Sequence, residues 1–325
     1  MTGYVYSLHP LQSRRQSQLN IAQTSKEAYF ILAALDRLYA SYDKGLVRNK
    51  VDSVNFNKRA LYQKFVLTLL LWSAGFAACA DFDHSEWDKL LQANVVVIDD
   101  GHATQVNYDA MLRERTALKL YLDSIGVVSR DNFESWTYPA QLAFLINAYN
   151  AWTVELILTE YPAIDSIRQI GFFFNSAWRR KIVSLFGGGQ VSLDELEHGM
   201  IRGCGRYQEP RIHFAVNCAA IGCPALRAEA YLTNKLEEQL DDSTRMFLAD
   251  RSRNYLSGER LTVSRIFDWY EDDFKLGWGG IDSVSEFLSG YGSELGLNPQ
   301  QIEKLQDNEL RIRFQRYDWG LNRTP

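Results

Sequence analysis

Apolar residues recur at helical spacing in several segments downstream of Asp81. Their spacing predicts helices over about 86–93, 107–124, 139–158, 234–248 and 283–290. The helix over 139–158 has hardly any polar face, so we expect it to be buried at the centre of the fold. We call this segment the central helix.

Short segments with strand character lie between these helices, and most are bounded by glycine or proline. They are predicted at 181–186, 190–192, 212–217, 254–263 and 309–316, with hairpin turns at 187–189 and at Ser257-Gly258. Ser192 followed by Glu195 is the pattern of a capping box, which predicts that a helix begins there. The strands do not alternate regularly with helices, which argues against Rossmann and TIM-barrel folds. The sequence therefore predicts the α+β class: a buried central helix, with further helices packed on a small antiparallel sheet.

The net charge changes sign along the chain. Residues 1–80 hold 10 basic and 4 acidic side chains, a net of +6, and the remainder of the 35 basic and 40 acidic side chains gives residues 81–325 a net of −11. Nucleic-acid binding needs a surplus of cations to replace phosphate counterions. The acidic body therefore argues against a general nucleic-acid-binding function.

The residues before this change of charge resemble a secretory signal. Basic residues precede an apolar run at 65–78, whose 14 residues are fewer than the roughly 20 that span a bilayer. Ala78-Cys79-Ala80 then matches an A-x-A cleavage site. We expect a signal peptide over 58–80 and a mature single domain over 81–325, periplasmic or secreted, with no stable membrane span after cleavage. Residues 1–57 are then an upstream extension from a misplaced start codon.

Two other interpretations of the apolar run stay open. It could be a buried helix of an N-terminal domain, or Cys79 could be the acylated residue of a lipoprotein, although Phe76 stands where a lipobox has Leu. Cleavage before Asp81 leaves three cysteines, Cys204, Cys218 and Cys223. We therefore expect one free reactive thiol or a reversible bridge.

Two asparagines interrupt the apolar central helix. Asn147 and Asn150 lie one turn apart, and each buried amide must find hydrogen-bond partners. One interpretation is that they tie the helix to neighbouring loops. The other is an active-site role, with Asn147 as a polarising group or oxyanion donor and Asn150 as a substrate-binding residue.

A second polar group follows the Ser192 cap. Glu197 lies beside apolar positions of the predicted helix, and Asp194 is one turn before His198, where it could orient the imidazole. Glu197 and His198 point about 100° apart, so they can act together only through a third group. The pattern fits a base with an orienting carboxylate, and it equally fits a structural ion pair beside a half-exposed histidine.

The third group is the segment Arg211-Ile-His-Phe-Ala-Val-Asn-Cys218-Ala-Ala-Ile-Gly-Cys223-Pro. Cys218 follows a predicted strand, where a sharp exit with small residues suits a thiolate nucleophile and an oxyanion hole of backbone N–H groups. Two alternatives remain: a Cys218–Cys223 disulfide in the tight loop, and a zinc site, which the four-residue spacer disfavours. We assign no metal and no cofactor.

These three groups make the chain similar to a known family. It resembles the domain of unknown function DUF547, in its exported bacterial type, over the segments 144–150, 192–202 and 211–224, and again at Ile266-Phe-Asp-Trp-Tyr270 and Tyr317-Asp-Trp-Gly-Leu-Asn322. The resemblance implies that one site contains Asn147, Asn150, Glu197, His198, Cys218 and Cys223. The layout also resembles papain- and transglutaminase-type folds, except that the cysteine lies downstream of the central helix.

The combined prediction is an enzyme with a Cys-His site, a thiol-dependent hydrolase or acyltransferase acting on peptide-like or thiol-containing small molecules. The predicted catalytic residues are Cys218 as nucleophile, His198 as base, Glu197 or Asp194 as the group that orients it, and Asn147; the predicted substrate-binding residues are Asn150, Arg211, His213 and Cys223. A non-enzymatic binding or scaffold module with a buried polar network is the competing interpretation. A thiol pocket that acts through mixed disulfides is the third.

Overall fold

The computed structural model describes residues 81–172, 175–203 and 205–325, with the side chains of Phe172 and Asn175 excepted. The predicted signal peptide, the upstream extension, Cys79 and Cys204 lie outside the described residues. The described part combines helices with small sheets, which confirms the α+β class.

Nine α-helices, one π-helix and several 3-10 turns lie in the described part. The α-helices are α1 Ser85–Asn94, α2 Tyr108–Arg113, α3 Arg115–Gly126, α4 Arg130–Ser135, α5 Tyr138–Leu158, α6 Leu236–Ala249, α7 Ile266–Trp269, α8 Val284–Gly290 and α9 Pro299–Gln306. The π-helix is Glu195–Arg202, and the 3-10 turns are Asp99–Gly101, Ile167–Gln169, Ala177–Arg179, Pro210–Phe214, Glu271–Lys275 and Trp278–Gly280.

The strands of the described residues are distributed over four small sheets instead of the one that the sequence predicts. Three are antiparallel hairpins: β1 Val95–Ile98 with β2 Ala103–Val106, β3 Gly171–Phe172 with β4 Asn175–Ser176, and β5 Val183–Leu185 with β6 Gly189–Val191. The fourth places β8 Arg260–Val263 between an antiparallel β7 Tyr255–Ser257 and a parallel β9 Arg311–Phe314.

The central helix is α5, and its burial confirms the expectation from its apolar surface. Thr137 caps its first turn by accepting a hydrogen bond from the Ala140 N–H, and Pro139 occupies a first-turn position that needs no N–H. Of its 21 residues, only Tyr138, Pro139 and Trp152 are not buried. The helix is therefore surrounded by other parts of the fold on nearly every side.

The core of the described part consists of two clusters. The larger surrounds α5, and the second is rich in phenylalanine: the rings of Phe214, Phe267, Phe274 and Phe287 contact one another, and Phe247 contacts Phe214. The 3-10 turn at 210–214 joins them, because Ile212 belongs to the first cluster and Phe214 to the second.

Two predicted elements are wrong in detail. Residues 212–217 do not form a strand; Pro210 starts a 3-10 turn there, and the Glu209 carboxylate caps it by accepting from the Arg211 N–H. A short apolar run fits a buried strand and a buried helical turn equally well, which is why the pattern alone misassigned it. The helix predicted over 107–124 is divided in two at Glu114.

The C-terminal segment crosses the loop that carries the two cysteines. The N–H of Ile221 donates to Gly320 O (2.7 Å), that of Gly222 donates to Asp318 O (2.8 Å), and that of Asn322 donates to Ala219 O (3.1 Å). A Cβ at Gly222 would lie 2.9 Å from Asp318 O and 3.0 Å from the Tyr317 ring, so this close approach requires glycine. The crossing brings Tyr317 and Trp319 beside the cysteines.

None of the helices in the described ranges has both the length and the hydropathy to cross a membrane.

Candidate functional site

A cavity of about 290 Å³ is lined by residues of both core clusters. The predicted site residues that line it are Asp194, Glu197, His198, His213, Cys218 and Cys223. Three others, Asn147, Asn150 and Arg211, are not part of its lining. The structure therefore brings together the sulfur, imidazole and carboxylate groups and places the two amides and the guanidinium elsewhere.

Both asparagines bond the central helix to backbone. Asn147 donates to Tyr231 O (2.8 Å) and accepts from Tyr231 N (3.0 Å). Asn150 donates to Ala215 O (3.0 Å) and accepts from Asn217 N (2.8 Å). These are the ties to neighbouring loops that the sequence offered as one interpretation.

Arg211 is also held by protein groups. Its guanidinium pairs with Glu209 (2.6 Å) and with Glu237 (2.9 Å), and it lies 4.6 Å from the centre of the Trp278 ring. Because its guanidinium bonds Glu209 at the 3-10 turn and Glu237 on helix α6, this side chain joins the two elements.

The two cysteines form a disulfide across the loop that follows the 3-10 turn. Cys223 is buried and Cys218 is half-buried, so Cys218 is the more accessible sulfur. Sγ of Cys223 accepts from the Cys218 N–H (2.9 Å) and from the Tyr317 hydroxyl (3.1 Å), and that hydroxyl also lies 3.3 Å from Cys218 Sγ. Ala219, between them, has φ 60°, a left-handed conformation that costs a non-glycine residue about 1–2 kcal/mol. Such strain is found often in loops that hold functional side chains.

Glu197 lies on the π-helix Glu195–Arg202. The predicted capping box precedes it: Ser192 Oγ accepts from Glu195 N (3.2 Å), and the Glu195 carboxylate accepts from Ser192 N (2.8 Å). A Cβ at Gly203 would lie 2.3 Å from His198 O, so glycine permits this helix to end as it does. Helical turns of this type are frequent at functional sites. Glu197 is 6% exposed, and its carboxylate accepts from the hydroxyls of Tyr270 (3.2 Å) and Tyr149.

His198 contacts Arg202 instead of the cysteine. An Arg202 nitrogen donates to Nδ1 of His198 (2.6 Å), so the proton of the neutral ring is on Nε2. Nε2 lies 3.9 Å from Asp194, which is where the sequence placed an orienting carboxylate, although beyond hydrogen-bond distance. The nitrogen of His198 that could accept a proton is thus already occupied.

His213 is the imidazole with a close carboxylate partner. Its Nε2 lies 2.6 Å from Oδ2 of Asp273, which also accepts from Arg202 (2.5 Å). Burial would raise the pKa of Asp273, but the bonds from His213 and Arg202 outweigh it and hold that pKa well below its usual range. Burial lowers the pKa of His213 more than Asp273 raises it. We infer a neutral His213 that donates from Nε2 to an ionised Asp273, which leaves Nδ1 as its basic nitrogen.

Aromatic rings form one wall of the cavity, which we call the aromatic wall: Trp178, Trp269, Tyr317 and Trp319. Tyr317 lies 4.6 Å from Trp319 and 4.9 Å from Trp269 between ring centres, and Trp269 stacks on Trp319 at 5.8 Å. Burial raises the pKa of Tyr317 against an opposing effect of Arg253 and with a smaller contribution from Glu197, so its hydroxyl keeps its proton and acts as a donor.

The sequence assigned no role to Asp273, Arg202, Tyr317 or the tryptophans. Asp273 is 60 positions from His213, and only the fold brings them together. Three of the aromatic residues had a signal, however: Trp269, Tyr317 and Trp319 fall in the segments 266–270 and 317–322 that extend the family resemblance beyond the cysteine loop, whereas Trp178 falls in neither.

Comparison with known protein families gives a match over part of the chain. Residues 133–248 match the family described as "Protein of unknown function, DUF547", which supports the family resemblance over this part of the chain. No curated protein and no solved structure matches the chain, so the resemblance to papain- and transglutaminase-type folds stays a prediction. Within the described residues, no group of three or more His, Cys, Asp or Glu could hold a metal ion.

Proposed function

We propose that the cavity performs thiol–disulfide exchange between the Cys218–Cys223 pair and thiol-containing small molecules. The observation that carries the proposal is the pair of hydrogen bonds received by Cys223 Sγ, from the Cys218 N–H and from Tyr317. Both bonds strengthen as charge develops on that sulfur. They prepare Cys223 to leave as a thiolate while the more accessible Cys218 is attacked.

The reaction balances in two steps. A small-molecule thiolate attacks Cys218, the Cys218–Cys223 bond breaks, and a mixed disulfide forms with Cys223 as thiolate. A second thiolate then attacks the small-molecule sulfur of that mixed disulfide, releasing a small-molecule disulfide and leaving two reduced cysteines. The electrons come from the two thiols, and the reverse direction reduces a small-molecule disulfide.

His213 is the candidate base for the incoming thiol. It lines the cavity, and Asp273 holds its Nε2, as a carboxylate orients the imidazole of other nucleophilic sites. This replaces the predicted assignment of His198 as base. An oxidising compartment, proposed from the segment 58–80, would keep the pair oxidised between reactions.

The test uses trapping variants in a background in which Cys79 and Cys204 are serine. With Cys223→Ser, we expect Cys218 to form a stable mixed disulfide with hydroxyethyl disulfide at neutral pH, read by mass spectrometry. With the matched Cys218→Ser, the buried Cys223 should react on the order of tenfold more slowly or not at all. If Cys218 reacts only after denaturant is added, the proposal fails and the binding-module interpretation replaces it.

Tyr317→Phe separates leaving-group assistance from mere accessibility. It removes one donor to Cys223 Sγ and should slow opening of the disulfide by mercaptoethanol about tenfold to a hundredfold. This factor corresponds to the free energy of one hydrogen bond to a charged group. The same hydroxyl lies 3.3 Å from Cys218 Sγ, so trapping of Cys218 in the Cys223→Ser background is compared at equal fractions of thiolate. At equal thiolate it should be unaffected, because no cysteine leaves in that reaction.

A hydrolase or acyltransferase is the second candidate, favoured by the shared cavity of Cys218 and His213. In the reduced protein, the Cys218 thiolate would attack a carbonyl carbon, the leaving group would take the proton held by His213, and water would release the acyl group. Reduced protein should then give a burst of nitrophenol from nitrophenyl acetate that Cys218→Ser abolishes. Exchange activity without such a burst would exclude this candidate.

A further inference from the structure

Glu197 is a buried carboxylate with no cation bound to it in the described part of the chain. Its one ion-pair contact among the described residues is with the ring of His198 at 3.7 Å, whose Nδ1 already accepts a hydrogen bond from Arg202. Arg202 is itself paired with Asp273 at 2.5 Å. The charge of Arg202 also acts on Glu197 from beyond ion-pair distance. The two carboxylates of Glu197 and Asp273 thus share one guanidinium, which leaves one negative charge in excess among these groups. An unpaired buried charge is costly, so a site of this kind suits a ligand that brings the opposite charge.

The lining has the composition of a cation site. No lysine or arginine is among the described residues that line the cavity, whereas two carboxylates are, Asp194 and Glu197. Asp194 has a distant partner in the exposed Arg179 at 3.7 Å, so the buried Glu197 dominates the field inside. The negative potential of the cavity would draw in a cation and repel an anion.

The aromatic wall provides a second set of groups, besides the carboxylates, that attract a cation. Indole and phenol rings attract a cation to their faces, most strongly when water is excluded. Trp269 lines the cavity and packs against the rings of Tyr317 and Trp319. Even so, 44% of its surface is exposed, which is a large fraction for a tryptophan. An exposed aromatic surface of this kind marks a place where a ligand is expected to cover it.

We propose that the ligand carries a positively charged amine, which lies between Glu197 and the aromatic wall while its sulfur meets Cys218. This rests on the proposed exchange function for the sulfur, but the charge recognition can be tested without it. The substrate class is then a small aminothiol or the corresponding disulfide. A cavity of about 290 Å³ has room for a molecule of this size.

The first measurement is binding without sulfur chemistry. Oxidised protein is titrated with tetramethylammonium, which has charge but no thiol, and tryptophan fluorescence is recorded. We expect saturable quenching that weakens on the order of tenfold in Glu197→Gln. Glu238→Gln, which removes an exposed carboxylate outside the cavity lining, is the matched control and should bind as the parent does.

The second measurement is the rate at which three thiols open the disulfide at equal thiolate concentration: cysteamine, mercaptoethanol and thioglycolate. The amine should react on the order of tenfold faster than the neutral thiol and the carboxylate slowest, and Glu197→Gln should bring the three rates together. Asp194→Asn provides a milder second variant if Glu197→Gln does not fold.

The outcomes separate the two proposals. If no thiol opens the disulfide but tetramethylammonium binds, the exchange function fails and the cation site stands. If all three thiols react at one rate and tetramethylammonium does not bind, exchange stands and the cation site fails. Failure to bind, or a rate order that is unchanged in Glu197→Gln, overturns the inference.

Discussion

The buried polar groups of the central helix and those of the cavity wall differ in what satisfies them. The side-chain amide of Asn147, like that of Asn150, donates a hydrogen bond to a backbone C=O and accepts one from a backbone N–H. The Glu197 carboxylate accepts hydrogen bonds from tyrosine hydroxyls, and no Lys or Arg in the described part forms an ion pair with it. Groups of the first kind hold the fold together, whereas a group of the second kind is available to a ligand.

The segments that carry the family resemblance contain both kinds of residue: those that bond to backbone and those that line the cavity. The segment 144–150 supplies ties between the helix and the loops at 215–217 and 231, and the segments 192–202 and 211–224 supply the cavity. Resemblance in sequence groups these residues together, but hydrogen-bond geometry separates those that bind backbone from those that face open space.

The largest effect that tests this difference is expected on the helix side. Asn147→Leu improves helix propensity, yet it strands the N–H and the C=O of Tyr231 in the core. We expect a loss of about 2–4 kcal/mol in the free energy of unfolding, measured with urea. Asn132→Leu, an exposed position of helix α4, is the matched control and should change it by less than about 0.5 kcal/mol. Equal stability of the two variants would contradict the role of Asn147 as a tie.

A pH-dependent effect of intermediate size is expected at His84. Its Nδ1 bonds the Tyr121 hydroxyl (2.7 Å), and its Nε2 has no partner among the described groups. Burial lowers the pKa of His84 to about 3, against a small opposing effect of Asp83. The unfolded chain therefore binds the proton first, so this contribution to stability is complete above the unfolded pKa of about 6.5 and declines as the pH falls.

His84→Gln measures that contribution directly. Between about pH 7.5 and about pH 5, the parent should lose about 2 kcal/mol more unfolding free energy than the variant. Urea unfolding of both proteins at the two pH values gives the difference. Parallel pH profiles would show that the ring of His84 is not held neutral in the fold.

The sequence predicted most of the fold and singled out several of the residues that line the cavity, for identifiable reasons. The apolar surface at 139–158 and the glycine turns at 187–189 and 258 are local signals, and the structure has the helix and both hairpins there. The Ser192–Glu195 cap is also local and is present. Cys218, Cys223 and the two histidines were singled out by residue type and spacing, and all of them line the cavity.

The remaining features depend on contacts between distant segments. The pairing of His213 with Asp273 cannot be read from either segment, so the sequence offered only His198, with Asp194 one turn before it, as a histidine with an orienting carboxylate. Pro210 and the apolar run after it are compatible with a strand until the packing of Ile212 and Phe214 into different clusters is known. The disulfide was one of two alternatives, because a five-residue separation permits a bridge without requiring it.

The smallest expected effect on stability lies on the cavity side and completes the comparison. Glu197→Gln keeps an amide oxygen, whose two lone pairs can accept from the hydroxyls of Tyr270 and Tyr149, and it places an NH2 group at the cavity, where we expect water to satisfy it. It also removes a buried charge that is ion-paired with no Lys or Arg among the described residues. We expect the unfolding free energy to stay within about 0.5 kcal/mol of the parent or to rise slightly, measured with urea beside Asn147→Leu. A loss as large as that of Asn147→Leu would mean that Glu197 stabilises the fold as the asparagines do, and the distinction between ties and ligand-facing groups would then not hold for this residue.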